Sequence, residues 1–298
     1  MTKITRRSFL SASTIAATHM LTTPSAWAEK EQKGAGFTFV QMCDTQLGMG
    51  GYEHDVETFK LAVKHINELK PQPEFVVICG DLINTPGSEK ETKQFNAIKA
   101  GFQMSCYCAP GNHDLGNKTN PELLKRYRKA VGRDYYVKEL PHCALIALNT
   151  QLWKSPLDAE SARQNTWLDK AMLKAASANK PIVAFGHHPL FLNDPQEKEA
   201  YYNLPVESRL QLLRLFKTKG VAAYLSGHAH KNLIKSYERI QLVTSATTSR
   251  NFDNAPMGFR LWHIKPPRPY KHEYVPVKDA KPPAKKRNAS AKTKPAAT

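Results

Sequence analysis

At 298 residues with 41% hydrophobic side chains and only 15 glycines, the chain is long enough for one large or two small domains with a substantial core. Its formal charge of +17 is unevenly placed: +3 falls on residues 1–28, +7 on residues 266–298, and +7 on everything between. Nucleic-acid binding is one reading of that charge and solvated tails are the commoner one; no segment has the ~20 continuous apolar residues of a membrane-spanning helix.

The first stretch reads as an export signal. Thr5-Arg6-Arg7-Ser8-Phe9-Leu10 pairs two arginines with the Ser-Phe-Leu of twin-arginine signals, and Ala26-Trp27-Ala28 supplies an A-x-A cleavage site before Glu29. An uncleaved anchor fits less well, because the apolar stretch is short and broken by His19 and Pro24. Residues 1–28 are therefore expected to be a twin-arginine (Tat) signal peptide recognised by the Tat export machinery, giving a periplasmic or secreted protein without stable membrane insertion. That route is expected to carry folded proteins. A metal site could then be filled in the cytoplasm, where supply rather than raw affinity selects the ion.

After a polar lead-in, Phe37 to Cys43 reads as a buried strand ending in Asp44-Thr45-Gln46 and a glycine-rich turn. Phe59, Ala62, Val63, Ile66 and Leu69 then recur at helical spacing, closed by Pro71. Glu74 to Cys79 is a second strand running into Gly80-Asp81, Gly87 to Lys99 a helix, and Phe102 to Ala109 a third strand. Two β-α-β units in succession imply a parallel sheet with right-handed crossovers. A helix from Pro121 to Val131 follows, then a strand pair around Pro141, a helix from Ala159 to Ala176, and a strand from Pro181 to Phe185 ending in Gly186-His187-His188-Pro189. Val206 to Lys219 reads as helix, and Val221 to Leu225 as a strand ending in Gly227-His228-Ala229-His230. Asn232 to Ile264 alternates strand-like pieces and turns, as in an antiparallel second sheet. The folded domain is thus expected over residues 29–265, with a basic Lys/Pro/Ala-rich, largely disordered tail over 266–298. Cys43, Cys79, Cys106, Cys108 and Cys143 all sit in apolar strand-like runs and read as buried thiols, with a Cys106–Cys143 bridge as the alternative.

Five of these strands end in a turn bearing metal-type side chains: Asp44, Asp81, Asn112 and His113, His187, and His228 with His230. Ligands of open α/β sheets bind beyond the carboxyl ends of the strands, so these residues would gather at one edge. Each alone is an ordinary cap or turn residue; five recurrences at equivalent positions are not. Gly111-Asn112-His113-Asp114 combines an amide, an imidazole and a carboxylate, suited to a metal ligand, a proton donor and a residue that orients the donor.

In these motifs the chain resembles the calcineurin-like metallophosphoesterases, whose pattern is D-x-H, G-D, G-N-H-[DE], a later H followed by x-P, and G-H-x-H. They appear here as Asp44-Thr45-Gln46, Gly80-Asp81, Gly111 to Asp114, His187-His188-Pro189 and Gly227 to His230, within Phe37 to about Ile264. Asp44 to Gly48, Gly111 to Asn117 and Asp134-Tyr135-Tyr136 look like the branch that includes the cytosolic Ser/Thr phosphatase-like member. The resemblance implies a four-layer α/β/β/α sandwich and two divalent metal ions, Mn, Fe or Zn. It implies that Asp81 bridges them, that Asp44 and His230 complete one site beside Gln46, and that Asn112, His187 and His228 complete the other. A bridging hydroxide would attack phosphorus, with His113 as donor and Asp114 orienting it.

Gln46 departs from the pattern, which has histidine there. Its neutral amide oxygen could coordinate, hold a metal-bound water or leave the site loose, and a hard donor favours manganese over zinc. No tyrosine follows Asp81 closely, so the iron-tyrosinate chemistry of purple acid phosphatases is not expected. The expected activity is hydrolysis of phosphate monoesters, in small molecules or phosphoproteins. The alternatives are a phosphodiesterase or nuclease acting on nucleotides, and a non-catalytic module that binds envelope polyanions through its basic tail.

Overall fold

The computed structural model describes residues 36–265 and 267–283. The expected signal peptide at 1–28 and the basic stretch from 284 onward lie outside the described residues.

The elements follow in the order β1 (Phe37–Met42), α1 (Tyr52–Glu68), β2 (Phe75–Cys79), α2 (Glu89–Lys99), β3 (Ser105–Ala109), α3 (Asn112–Leu115), α4 (Pro121–Ala130), β4 (Tyr136–Glu139) and β5 (Ala144–Ala147). Then come α5 (Gln151–Lys154), α6 (Asp158–Ser177), β6 (Ile182–Phe185), α7 (Val206–Lys219), β7 (Val221–Ser226), β8 (Leu233–Tyr237), β9 (Ile240–Thr244), β10 (Gly258–Ile264) and β11 (Lys271–Pro276). Their starts and stops have local causes. Asn120 accepts from Glu122 and Leu123 ahead of Pro121 at the first turn of α4, and Gly220 closes α7 in the left-handed conformation.

Two sheets result, one ordered β11-β10-β1-β2-β3 and one β4-β5-β6-β7-β9-β8. Alternation along the strands sorts side chains between layers. Val40 and Met42 of β1 and Val76 and Ile78 of β2 face Phe59, Ile66 and Phe95 of α1 and α2. Phe37, Phe39, Phe75 and Val77 point the other way, into an inter-sheet core shared with Leu145, Val183, Phe185 and Leu225. Ile146, Ala184 and Tyr224 face Met172 and Phe216 of α6 and α7 on the far side. This is the expected four-layer α/β/β/α sandwich. A buried polar clasp crosses the middle: Gln41 of β1 donates to the carbonyls of Ser226 (3.1 Å) and Val243 (3.0 Å), and accepts from Trp262 Nε1 (3.0 Å).

Two expectations change. The segment 232–264 does not form its own antiparallel sheet. β9 runs parallel to β7 with β8 antiparallel outside it, while β10 returns to pair antiparallel with β1. The domain also does not stop at residue 265, because β11 pairs with β10 from Lys271 to Pro276. Its sequence, Lys-His-Glu-Tyr-Val-Pro, is the polar alternation of an edge strand, which composition alone reads as tail. All five cysteines are free, four buried and Cys106 half-buried.

Trp262 is fully buried, lies 5.7 Å from Phe39 with nearly parallel planes, and holds the Gln41 clasp. Trp262→Ala is expected to cost about 3–5 kcal/mol, measured as a lowered midpoint in denaturant unfolding.

Candidate metal centre

β1, β2, β3, β6 and β7 all deliver residues of the predicted set from their carboxyl ends. The backbone there is unusual: Asp44, Gln46, Asp81, His228 and His230 all have positive φ, between 36° and 66°. L-residues adopt this left-handed region at a cost and rarely without a local purpose. The glycines of the motifs make the approach possible. A Cβ at Gly111 would overlap Asp81 Oδ1, and one at Gly227 would overlap Asp44 Oδ2.

Asp44 and Asp81 are both buried. Asp81 Oδ1 accepts the His113 N–H at 2.8 Å, and its Oδ2 lies 3.3 Å from His187 Nε2. Both Asp44 oxygens accept the His228 N–H, at 3.1 and 3.0 Å, and Asp44 Oδ1 is 3.5 Å from His230 Nε2. No lysine or arginine pairs with either carboxylate among the described residues. Two buried carboxylates without a fixed counter-charge call for a cation.

Each of the three histidines turns one nitrogen inward and spends the other on a backbone carbonyl. His187 Nδ1 donates to Cys79 O (2.9 Å), His228 Nε2 to Tyr201 O (3.0 Å), and His230 Nδ1 to Arg250 O (2.5 Å). This fixing of ring and tautomer is typical of metal-ligating imidazoles. The inward ligand atoms of Asp81, His187 and His228 lie within 4.8 Å of one another. Asn112 Oδ1 sits 2.9 Å from His187 Nε2, held there because Asn112 Nδ2 donates to Asn117 Oδ1 at 2.8 Å. Gln46 Oε1 is buried and has no hydrogen-bond partner. A carbonyl oxygen left so inside a polar centre fits a cation or its bound water.

Electrostatics agree with the geometry. Burial acts to lower His187, but Asp81 outweighs it and the imidazole is pushed up to about 10. Burial acts to raise Asp81, yet His187, His113 and His228 hold it below the carboxylate range. His228 goes down to about 3 through burial and the His187 charge. A proton on His187 thus stands in the field that a metal ion would otherwise neutralise.

The side chains of His113 and Asp114 bond to different partners. His113 Nδ1 donates to the Asn84 carbonyl at 2.6 Å, so Asn84 orients the ring. Asp114 instead accepts the N–H groups of Gly111 (2.8 Å), Leu82 (3.1 Å) and Ile83 (3.4 Å). It stitches the loop after β2 to the loop after β3, the two that bear Asp81 and Asn112. Nearby asparagines differ in their partners. Asn149 is spent on Asp134 (2.9 Å) and on the Gln151 N–H (3.2 Å), and Asn251 on its own loop, whereas Asn117 orients a metal-type ligand.

Three contributors had little sequence signal. Thr150 Oγ1 accepts the N–H groups of His187 (3.2 Å) and His188 (3.1 Å), and bonds His188 Nδ1 at 2.9 Å. Asp55 of α1 accepts from Gly48, Gly50 and Ser249, latching the Gln46 loop to the loop after β9. Tyr201 is half exposed and supplies the carbonyl that orients His228.

If Asp114 is a loop clamp, Asp114→Asn should lower metal affinity about 10- to 100-fold, read by metal titration of the chelator-stripped protein. Unchanged affinity with reduced turnover would restore the orienting role for Asp114.

The centre has counterparts in known proteins. A model of the calcineurin-like phosphoesterase family matches residues 37–232. The serine/threonine-protein phosphatase CPPED1 of Danio rerio is 32% identical over 257 residues, covering 78% of this chain and 83% of that protein. The Homo sapiens protein of the same name is 31% identical over 258 residues, covering 78% and 82%. The structure of a dimetal phosphatase from Danio rerio superposes with a TM-score of 0.61 at 16% identity, over 81% of this chain and 99% of that one, and so shares the fold. With its strand-end carboxylates, histidines and amides in the family's order, this chain belongs to the calcineurin-like phosphoesterases, hydrolases of phosphate esters.

Proposed function

We propose that the protein is an exported, metal-dependent phosphatase that hydrolyses phosphate monoesters, phosphoproteins among them. The observation that carries the reading is the buried convergence of Asp44 and Asp81 with three histidines whose outer nitrogens are tied to backbone carbonyls. Similarity to serine/threonine-protein phosphatases supports the monoester class. Asp81 would be shared between two ions, with Asp44, His230 and Gln46 on one side and Asn112, His187 and His228 on the other. A pair of divalent ions held there supplies activated water and charge neutralisation for in-line displacement at phosphorus. His113 keeps Nε2 for the reaction because Nδ1 is given to Asn84. With Nδ1–H on the carbonyl, only the doubly protonated ring carries a proton on Nε2, and in that form it would donate to a phosphoryl oxygen or to the departing alkoxide.

Manganese is the ion we favour, because Gln46 offers a hard amide oxygen where the family pattern has a softer imidazole. Export rests on the Arg6-Arg7 motif and the Ala26-Trp27-Ala28 site.

Metal-reconstituted protein is expected to turn over nitrophenyl phosphate faster than bis-nitrophenyl phosphate, and Asp81→Ala to lose about a thousandfold or more. Faster turnover of the diester would assign the centre to phosphodiesterase or nuclease chemistry instead. For export, replacing Arg6 and Arg7 by lysine should hold the protein in the cytoplasm, while wild-type protein recovered from the periplasm should contain manganese. Stoichiometric zinc in that fraction would sink the manganese assignment, and periplasmic recovery of the lysine variant would sink twin-arginine export.

A further inference from the structure

Among the described residues, the exposed large hydrophobic side chains are Leu173, Tyr201, Tyr202, Ile234 and Phe252. Scattered exposure of this kind is ordinary. Three of the five are not scattered. The Tyr201 and Tyr202 rings lie 4.8 and 5.5 Å from the His228 ring, and Phe252 stacks on His230 at 4.8 Å with planes 15° apart. They thus lie against two of the three histidines of the centre. The Tyr201 hydroxyl has a polar task, accepting from Asn112 Nδ2 at 3.3 Å. Tyr202 and Phe252, 36% and 43% exposed, expose ring surface for which core packing gives no account.

Both loops that present these rings are built to hold still. Glu197 accepts the N–H groups of Leu192 (2.8 Å) and Asn193 (2.9 Å), and Asn203 Nδ2 donates to Glu197 at 2.6 Å. Lys154 Nζ donates to the carbonyls of Ala200 (2.6 Å) and Asn203 (3.0 Å), and the buried Arg209 guanidinium donates to Glu197 O. On the other side, the Phe252 N–H donates to His230 O at 2.8 Å, and Asn251 Nδ2 donates to Pro256 O at 3.0 Å. Rings fixed in advance in this way lose little freedom when they stack on a ligand.

We infer that Tyr201, Tyr202 and Phe252 form an aromatic rim that receives a planar leaving group, so that the centre prefers aryl phosphate monoesters, phosphotyrosine among them. This rests on the phosphomonoesterase reading above. The rim begins on the imidazoles of the centre, so a ring bonded directly to the ester oxygen is the planar group that reaches it with no spacer between. A nucleotide places its base a sugar farther out, and a serine phosphate has no π face to offer. The reaction is the same hydrolysis: water oxygen bonds to phosphorus, the P–O(aryl) bond breaks, its electron pair leaves on the phenolate, and one water proton ends on the phenol.

The test compares kcat/KM for O-phosphotyrosine, O-phosphoserine and adenosine 5′-monophosphate on metal-reconstituted full-length protein. The variants are Tyr202→Leu, Tyr202→Phe and Phe252→Leu, all at exposed positions. Because the readout is a ratio within one enzyme, intrinsic leaving-group reactivity cancels between wild type and variant. The phosphotyrosine-to-phosphoserine ratio should fall roughly three- to tenfold in each leucine variant and stay within about twofold in Tyr202→Phe, the scale of one aromatic contact. Equal losses on both substrates would overturn the rim as a selector. A loss on the nucleotide as steep as on phosphotyrosine would overturn the aryl assignment in favour of a nucleobase. Wild-type protein that turns over none of the three would overturn the phosphomonoesterase reading, and this inference with it.

Discussion

The molecule is organised around two carboxylates, Asp44 and Asp81, buried at the ends of neighbouring parallel strands with histidines but no lysine or arginine beside them among the described residues. Such a pair is tolerated only with a cation and with donors for its remaining lone pairs. The donors are backbone N–H groups, from His113 to Asp81 and from His228 to Asp44. Bringing those amides so close leaves no room for a Cβ at Gly111 or Gly227. Left-handed backbone at five of the strand-end residues belongs to the same constraint. The glycines of the motifs are thus consequences of where the carboxylates must be, as much as the histidines are.

Much of this was legible in the residues. Fully apolar runs such as Phe75–Cys79 have one structural solution in an α/β protein, a strand buried on both faces. Turns at their ends then put ligand-type residues at one edge. What escaped notice had physical reasons. β11 is an edge strand whose polar alternation resembles a solvated tail. The role of Asp114 depends on which way a side chain turns in a tight loop, and spacing does not specify that. The carbonyls of Cys79, Tyr201 and Arg250, which orient the three histidines, are backbone atoms and carry no residue identity at all.

The centre is also supported from behind. Thr150 holds the backbone of His187 and His188, Asn117 holds Asn112, and Asp55 ties the Gln46 loop to Ser249. These contacts come from both sheets and from α1, so the ligands are positioned by the whole sandwich and not by one loop. The Gln41 clasp does the same between the layers, fixing how far β1 stands from β7 and β9.

The pairing of β1 with β10 has a temporal meaning as well. β1 emerges from the ribosome first among the described strands, yet one of its edges stays open until Gly258–Ile264 has been made, and β10 in turn is covered by β11. Long-range pairing of this kind is slow to form, because chain closure comes before the contacts that reward it. Asp44, Asp81 and Asn112 are synthesised well before His187, His228 and His230, and β10 and β11, which cover that edge of the first sheet, come after all six. A growing chain therefore presents the acidic half of the centre while the sheet that carries it is still unsealed.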